Sequence, residues 1–246
     1  MKTRKKIMLL FFGAIGLSVT WFIVTQLRYS PTCDGIDVSH YNYITTKSRN
    51  VPSSYSAIGQ STFLIAKATE GTTITDSKYN THKQFARTKN LKFGAYHFLS
   101  KTSSAKDQFE HFKRVVGKDI DLVPCLDVER YNHSDWSFNQ VRSYVKEWSE
   151  LCMDYYGVYP IIYCTDLYRW VFFFDMPNQF WINNTLCKPL TKCVIHQFSH
   201  NDETLDYNHL MTDITDIMLR WKVMKEMLLW IAFEFVSLKY WQHPNV

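Results

Sequence analysis

Two carboxylic acids stand two positions apart in a short apolar segment of this 246-residue chain. Asp127 and Glu129 belong to the run Leu-Asp-Val-Glu at 126–129. Residues two apart in a β-strand point to the same face, which would place both carboxyl groups on one side with their Cα atoms about 7 Å apart. Such neighbours cannot ionise independently, so one pKa is raised and a protonated acid lies beside an ionised carboxylate. Glycoside hydrolysis uses a pair of this kind.

An Asp-x-Glu pair is a common pattern by itself, and a solvated loop would also contain one. Three further acids, however, lie at the ends of other predicted strands: Asp37 ends the first strand in Gly-Ile-Asp-Val-Ser, Glu70 follows the second in Ala-Thr-Glu-Gly, and Asp206 lies after the last strand. In α/β barrels the reacting groups lie at the carboxyl ends of the strands. These acids together therefore indicate a catalytic cleft at that end of a barrel.

The elements that must position these acids alternate along the chain. Short runs rich in β-branched and aromatic residues predict buried strands at 35–38, 62–68, 93–98, 122–128, 159–164, 180–183 and 194–198. Helical periodicity between them predicts helices at 76–90, 109–116 and 141–155, the last preceded by Ser137 and Gln140 at capping-box spacing. Alternation over about 180 residues predicts a parallel α/β sheet or barrel.

Seven segments resemble, in the same order, the motifs of the family 25 glycoside hydrolases, the lysozyme-type muramidases. They lie at 34–40, 63–71, 94–98, 126–129, 160–163, 197–199 and 205–208, beginning with Asp-Gly-Ile-Asp-Val-Ser-His. The resemblance implies a modified, TIM-like β/α barrel over 33–210. It also implies cleavage of the β-1,4 bond between N-acetylmuramic acid and N-acetylglucosamine in the glycan strands of peptidoglycan.

The resemblance also implies roles for individual residues. Glu129 matches the family's general acid, and Asp127 matches its neighbour, which acts as the nucleophile or as a helper that orients the sugar's own N-acetyl group. Asp37 and Asp206 match two further acids that line the cleft. The candidate substrate-binding residues are Tyr96, Tyr163, Glu70 and Gln197. No metal ion and no organic cofactor is implied.

Alternatives remain open for this site. Glu70 could pair with Lys67 instead of binding substrate. The whole chain could be a non-catalytic glycan-binding protein on the same fold, although the complete set of acids disfavours this. It could also hydrolyse another N-acetylated glycan, such as chitin.

The N-terminal segment is predicted to direct the protein to the membrane. Residues 1–6 are basic, and the 21 residues of 7–27 carry no charge, which is long enough for a helix to span a bilayer. The preceding positive charges predict a signal anchor, with the barrel on the periplasmic or extracellular side. A cleaved signal peptide and a secreted protein are the alternative. Residues 28–32 form a linker, and 211–246 a helical extension that packs on the barrel or lies at a membrane interface.

Composition restricts the partners. The net charge of +5 comes from five basic residues before the first acid, Asp34, because the other 23 basic residues balance all 23 acids. The barrel is thus neutral overall, which argues against nucleic-acid binding. Six cysteines fit an exported protein, and Cys187 and Cys193 could close a disulfide. We expect a monomeric catalytic domain.

Overall fold

The chain folds around a closed β-barrel. The computed structural model describes residues 2–42, 61–199, 205–224 and 226, and the side chains of all of these except 2–10, 131 and 132. The strands in this part of the chain are β1 Gly35–Val38, β2 Phe63–Glu70, β3 Ile74–Thr75, β4 Lys92–Phe98, β5 Cys125–Asp127, β6 Ile161–Thr165, β7 Phe180–Asn183, β8 Ile195–Ser199 and β9 Asp206–Leu210. The helices are α1 Lys2–Leu27, α2 Tyr79–Thr88, α3 Ala105–Val116, α4 Phe138–Tyr156 and α5 Asp166–Phe172, with 3₁₀ turns at Arg130–His133 and Ile214–Ile217.

Barrel closure depends on β1, which pairs with strands that are far apart in the chain. It runs parallel to β2 and antiparallel to β9. From β2 through β4, β5, β6, β7 and β8 every neighbouring pair is parallel, and β8 is antiparallel to β9. Within the described residues these pairings close a barrel of eight strands, while β3 pairs with the end of β2. The predicted α/β barrel is confirmed, with β9 as its antiparallel member.

All seven predicted strands and all three predicted helices are present. The prediction that Asp206 follows the last strand is wrong, because Asp206 begins β9. The sequence of β9, Asp-Tyr-Asn-His-Leu, is mostly polar and only its central residue is buried. A search for short runs of apolar residues therefore cannot detect this strand.

Side chains along each strand alternate between two apolar clusters. On β2, Phe63 and Ile65 belong to the cluster inside the barrel, whereas Leu64 and Ala66 belong to the cluster between the barrel and its helices. This period of two is the geometry of a pleated strand. The same alternation carries every second residue at the carboxyl ends of the strands toward the mouth of the barrel.

Helix α4 begins and ends as its sequence indicates. The Ser137 hydroxyl accepts the N–H of Gln140, and the Gln140 side chain accepts the N–H of Ser137, which forms the predicted capping box. The helix ends before Gly157, which adopts a φ of 75°. Trp148 on its buried face packs edge-on against Phe109 of α3, with ring centroids 5.2 Å apart.

Helix α1 contains the predicted membrane span 7–27. Among the residues whose side chains are described, no helix is both long and apolar enough to cross a membrane. These side chains run in α1 only from Phe11 to Leu27, short of the ~20 residues that a span requires, and residues 7–10 lie outside them. The predicted transmembrane anchor is therefore not supported.

The segment after β9 reaches the amino-terminal end of the barrel. Ile217 and Met218 join the inner apolar cluster. The N–H of Val123 donates to the carbonyl of Ile217 at 2.8 Å, and Leu122 forms an isolated bridge with Met218. The first part of the predicted C-terminal extension thus covers the end of the barrel opposite its mouth, and residues 227–246 lie outside the described residues.

All six cysteines are free thiols. The disulfide considered between Cys187 and Cys193 is not formed. Cys187 Sγ instead lies 3.3 Å from Nδ2 of Asn184. Cys193 is buried in the apolar cluster between the barrel and its helices.

Gly35 provides a test of how the end of the barrel opposite its mouth is packed. A Cβ atom at this position would lie 2.2 Å from the ring of Phe63, its partner in the β1–β2 register. We expect Gly35→Ala to lower the free energy of unfolding by about 1–3 kcal/mol, because the buried ring cannot move without displacing its neighbours. Urea denaturation measures this loss. The double variant Gly35→Ala/Phe63→Leu should recover part of it, and no recovery would exclude the steric cause.

Candidate active site

A cleft of about 770 Å³ opens at the carboxyl ends of the barrel strands, within the usual size of small-ligand sites. Each of the eight barrel strands, or the residues directly after it, contributes a lining side chain. The eight predicted site residues all line this cleft: Asp37, Glu70, Tyr96, Asp127, Glu129, Tyr163, Gln197 and Asp206. The structure therefore brings the predicted residues together in one place.

The two acids of the Asp-x-Glu pair lie on the same wall in different environments. Strand β5 ends at Asp127, but the backbone remains extended through Glu129, with φ −110° and ψ 136°. The side chains therefore share one face, as the strand geometry predicts. Asp127 is only 7% exposed, and its Oδ1 atom has no hydrogen-bond partner among the described residues. Glu129 is partly exposed to solvent.

Burial dominates the ionisation of Asp127. Removal of the carboxylate from water raises its pKa well above the ordinary value, and the charge of Glu129 raises it further. The ammonium group of Lys67 acts in the opposite direction and lowers this pKa. Asp127 is thus an acid whose charged form is unfavourable in the folded protein and is partly supported by one nearby cation.

Lys67 is held at the floor of the cleft by its surroundings. It is buried, its Nζ donates to Oε2 of Glu70 at 2.7 Å, and the same atom lies 4.3 Å from the ring centre of Phe98. A register irregularity in β2 between Lys67 and Thr69 accompanies this placement. Glu70 therefore pairs with Lys67, the alternative that the sequence left open, while it also lines the cleft.

Asp37 is buried on the opposite side of the cleft and is held by two amide groups. Its Oδ2 atom accepts hydrogen bonds from Nε2 of Gln197 at 2.9 Å and from Nδ2 of Asn208 at 2.7 Å. Burial raises the pKa of Asp37, and the charge of Asp206 raises it further, while the two amide donors lower it. Asp206 lies directly opposite Asp37 in the β1–β9 pair.

The amide groups that hold Asp37 are themselves oriented by other side chains. The Tyr163 hydroxyl donates to Oε1 of Gln197 at 2.7 Å and accepts from Nδ2 of Asn183 at 2.8 Å. The indole N–H of Trp181 donates to Oδ1 of Asn208 at 2.7 Å. Because each amide oxygen is occupied by a donor, both amides present their N–H groups to Asp37.

Tyr96 and Tyr163 keep their phenolic protons throughout the physiological pH range. Burial raises the pKa of each well above the ordinary tyrosine value, and the charge of Asp127 is the next largest contribution in both cases. Each side chain therefore presents a hydroxyl group, not a phenolate, to the cleft.

Sequence reasoning did not identify several residues of this cleft. Those it missed are Ser39, Tyr41, Asn42, Phe98, Trp181 and Asn183, which line the cleft, and Asn208, which holds Asp37. A signal existed for Asn208, because it stands two residues after Asp206 and such residues share one face of a strand. Among the described residues no group of three or more His, Cys, Asp or Glu side chains could hold a metal ion.

Comparison with known proteins points to one family. The family model described as Glycosyl hydrolases family 25 matches residues 36–206, which is over two thirds of the chain. The protein YegX of Escherichia coli (strain K12) is 32% identical over 139 residues, which are 56% of this chain and 50% of YegX. The chain thus spans about half the length of this curated relative.

Solved structures share the barrel. A family 25 glycosyl hydrolase from Bacillus anthracis gives a TM-score of 0.62 at 23% identity, covering 74% of this chain and 90% of that one. A bacterial lysozyme from Streptomyces coelicolor gives a TM-score of 0.61 at 22% identity, covering 77% of this chain and 96% of that one. At these identities the likeness establishes the fold.

The charges around Asp127 predict opposite effects for two substitutions. Lys67→Met removes the positive charge that lowers the pKa of Asp127, so this pKa should rise. Glu70→Gln removes a negative charge that raises it, so the pKa should fall. A ¹³C NMR titration of the Asp127 carboxyl carbon measures both shifts. Lys101→Met, which breaks an exposed ion pair with Asp135, should have no effect, and equal directions in the two cleft variants would contradict the assignment.

Asp127 should also destabilise the fold at neutral pH. Burial raises the pKa of Asp127 in the folded state above its value in the unfolded state. The fold therefore has its full stability at low pH, where the carboxyl group is protonated in both states, and loses part of it as the pH rises through the folded-state pKa. We expect Asp127→Asn to raise the Tm at about pH 8 and to change it little below about pH 3, where the carboxyl group is protonated in both states. Thermal unfolding at the two pH values measures this. An equal gain at both would show that the amide acts through packing and not through charge.

Proposed function

We propose that this chain, which belongs to the glycosyl hydrolases family 25, hydrolyses the glycan strands of peptidoglycan. The observation that carries the proposal is the placement of Asp127 and Glu129 on one wall of the cleft, at the carboxyl end of β5. One acid is buried and the other is partly exposed. Two carboxyl groups in unlike environments are what acid-catalysed glycoside cleavage requires.

The similar structures support the choice of substrate. One of them is a lysozyme, from Streptomyces coelicolor, whose fold this chain shares over 77% of its length. We extend to this chain the bond that lysozymes cleave, the β-1,4 linkage from N-acetylmuramic acid to N-acetylglucosamine. Because this substrate lies outside the cytoplasmic membrane of bacteria, the proposed site of action is the periplasm or the cell exterior.

Glu129 is the proton donor of the proposed reaction. Its carboxyl group lies in the cleft and is partly exposed, so a glycosidic oxygen can lie against it. The proton passes from Glu129 to the leaving oxygen as the bond to the anomeric carbon breaks. Water then adds to that carbon and gives a proton to the Glu129 carboxylate, which restores the enzyme.

Asp127 stabilises the positive charge that develops at the anomeric carbon. Its Oδ1 atom has no hydrogen-bond partner among the described residues. That atom is available to the anomeric carbon itself or to the N–H of the sugar's acetamido group, which then acts as the internal nucleophile. Both routes need ionised Asp127. Burial and the charge of Glu129 oppose this form and the charge of Lys67 favours it, and the opposition from Glu129 disappears when Glu129 carries the proton that it donates.

The other wall of the cleft binds the sugar rings in this proposal. Asp37 and Asp206 lie opposite each other there and can accept hydrogen bonds from sugar hydroxyl groups. Gln197 is fixed by its hydrogen bonds to Asp37 and to the Tyr163 hydroxyl. Polar groups that are already oriented need no rearrangement when the substrate arrives.

Purified peptidoglycan tests the reaction and the bond together. The turbidity of a suspension should fall, and mass spectrometry should find new reducing ends on N-acetylmuramic acid. New ends on N-acetylglucosamine would assign the other glycosidic bond. Binding without release would identify a non-catalytic glycan-binding protein, and release from chitin alone would identify a different substrate.

Substitution of the proton donor tests its role. Glu129→Gln keeps the shape of the side chain but removes the acid, and general-acid catalysis is typically worth about 10²–10⁴-fold. We expect the rate of lysis to fall by at least about that range while glycan binding persists. Glu150→Gln makes the same chemical change on the exposed face of α4 and should leave lysis unchanged. Near-normal lysis by Glu129→Gln would remove the assignment.

A further inference from the structure

We propose that Tyr41 forms a stacking subsite at the mouth of the cleft, where it binds a sugar ring beyond those that flank the cleaved bond. Tyr41 lines the cleft and is 72% exposed. It has no part in the proton transfers described for Glu129. This subsite rests on the proposed function, because it takes an N-acetylated glycan strand as the ligand.

The Tyr41 ring is supported on one side and open elsewhere. The ring of His40 lies against it, with centroids 3.9 Å apart and planes inclined at 38°. The high exposure of Tyr41 shows that most of its remaining surface faces solvent. A pyranose ring has an apolar C–H face of similar size, and contact with an aromatic ring removes both surfaces from water. An exposed ring at the edge of a binding cleft is therefore suited to a sugar.

A buried carboxylate fixes the residue on which Tyr41 rests. The side chain of Asp76 has no exposed surface, and its Oδ2 atom accepts from the backbone N–H of His40 at 2.9 Å and lies 2.8 Å from Nδ1 of the same residue. Its Oδ1 atom accepts the backbone N–H of Lys78 at 2.9 Å. Asp76 thus ties the turn that carries Tyr41 to the start of α2.

Further hydrogen bonds hold the main chain on both sides of Tyr41. The Ser39 carbonyl accepts from the N–H of Asn42 at 3.0 Å and from Nε2 of His82 at 3.1 Å. The side-chain oxygen of Asn42 accepts the N–H of Ser39 at 2.7 Å, and the backbone carbonyl of Asn42 accepts from Nζ of Lys78 at 3.0 Å. The exposed ring therefore stands on a fixed turn, which lowers the entropy lost when a ligand binds.

The turn also has a fixed position relative to the reacting groups. It starts directly after β1, the strand that carries Asp37, and its residues belong to the same cleft wall. A short glycan that covers the carboxyl groups need not reach Tyr41, whereas a longer strand through the cleft does. The contribution of Tyr41 should therefore depend on glycan length.

Binding measurements on glycans of defined length test this dependence. Glu129→Gln serves as the background, since we expect it to bind without cleaving, and the ligands are peptide-free peptidoglycan strands of two, four, six and eight sugars. Tyr41→Ala should weaken binding by about 2- to 13-fold, the range of a single aromatic contact, only for strands above a threshold length. The shortest strand that binds should keep its affinity. Tyr41→Phe, which keeps the ring, should match the parent at every length.

Three results would overturn the subsite: unchanged affinity in Tyr41→Ala at all lengths, equal weakening at all lengths, or the same loss in Tyr41→Phe as in Tyr41→Ala. Lysis of peptidoglycan by the wild-type protein together with any of these would remove the subsite alone. Failure of the wild-type protein to bind or cleave any glycan would remove the proposed function as well. Asp76→Asn keeps the ring but weakens its support, and should give a smaller loss with the same dependence on length.

Discussion

The mouth of the barrel depends on how it holds carboxyl groups that have been taken out of water. Asp37 is the compensated case, because amide groups of Gln197 and Asn208 donate to its buried oxygen. These residues stand on β8 and β9, while Asp37 stands on the closing strand β1. Side-chain hydrogen bonds therefore join the same three strands that the backbone ladder joins. The contacts among these three strands therefore close the barrel and also fix the position of Asp37.

Asp127 is the uncompensated case. A buried acceptor without a partner is uncommon in folded proteins and costs stability, because nothing replaces its lost contact with water. Lys67 offsets part of this cost through its charge, and Lys67 is itself held by Glu70 and Phe98. The chain thus retains an unfavourable group at the place where the proposed chemistry needs an oxygen that no protein donor occupies. Stability that is given up at such a position is typical of active sites.

The sequence predicts the barrel and its acids well because both leave local signals. Buried parallel strands appear as short apolar runs, and acids at their carboxyl ends must converge once the barrel closes. The partner of Asp37 left no such signal, since Asn208 lies 171 positions away on a polar strand. A register irregularity in β2 directly follows Lys67, and no pattern of residue types reveals it. The turn at Tyr41 was missed for a similar reason, because its main support, Asp76, comes from a distant part of the chain.

The charges of the cleft also separate substrate binding from chemistry. Of the described residues that line it, five are acids and one, Lys67, is a base. The sugar rings bring no positive charge to these carboxylates in the ground state, whereas an anomeric carbon that becomes positive is stabilised as its charge develops. The acids therefore favour the transition state more than the bound substrate. Part of the affinity for the glycan can then come from surfaces that do not depend on charge, and the exposed ring of Tyr41 at the rim is such a surface.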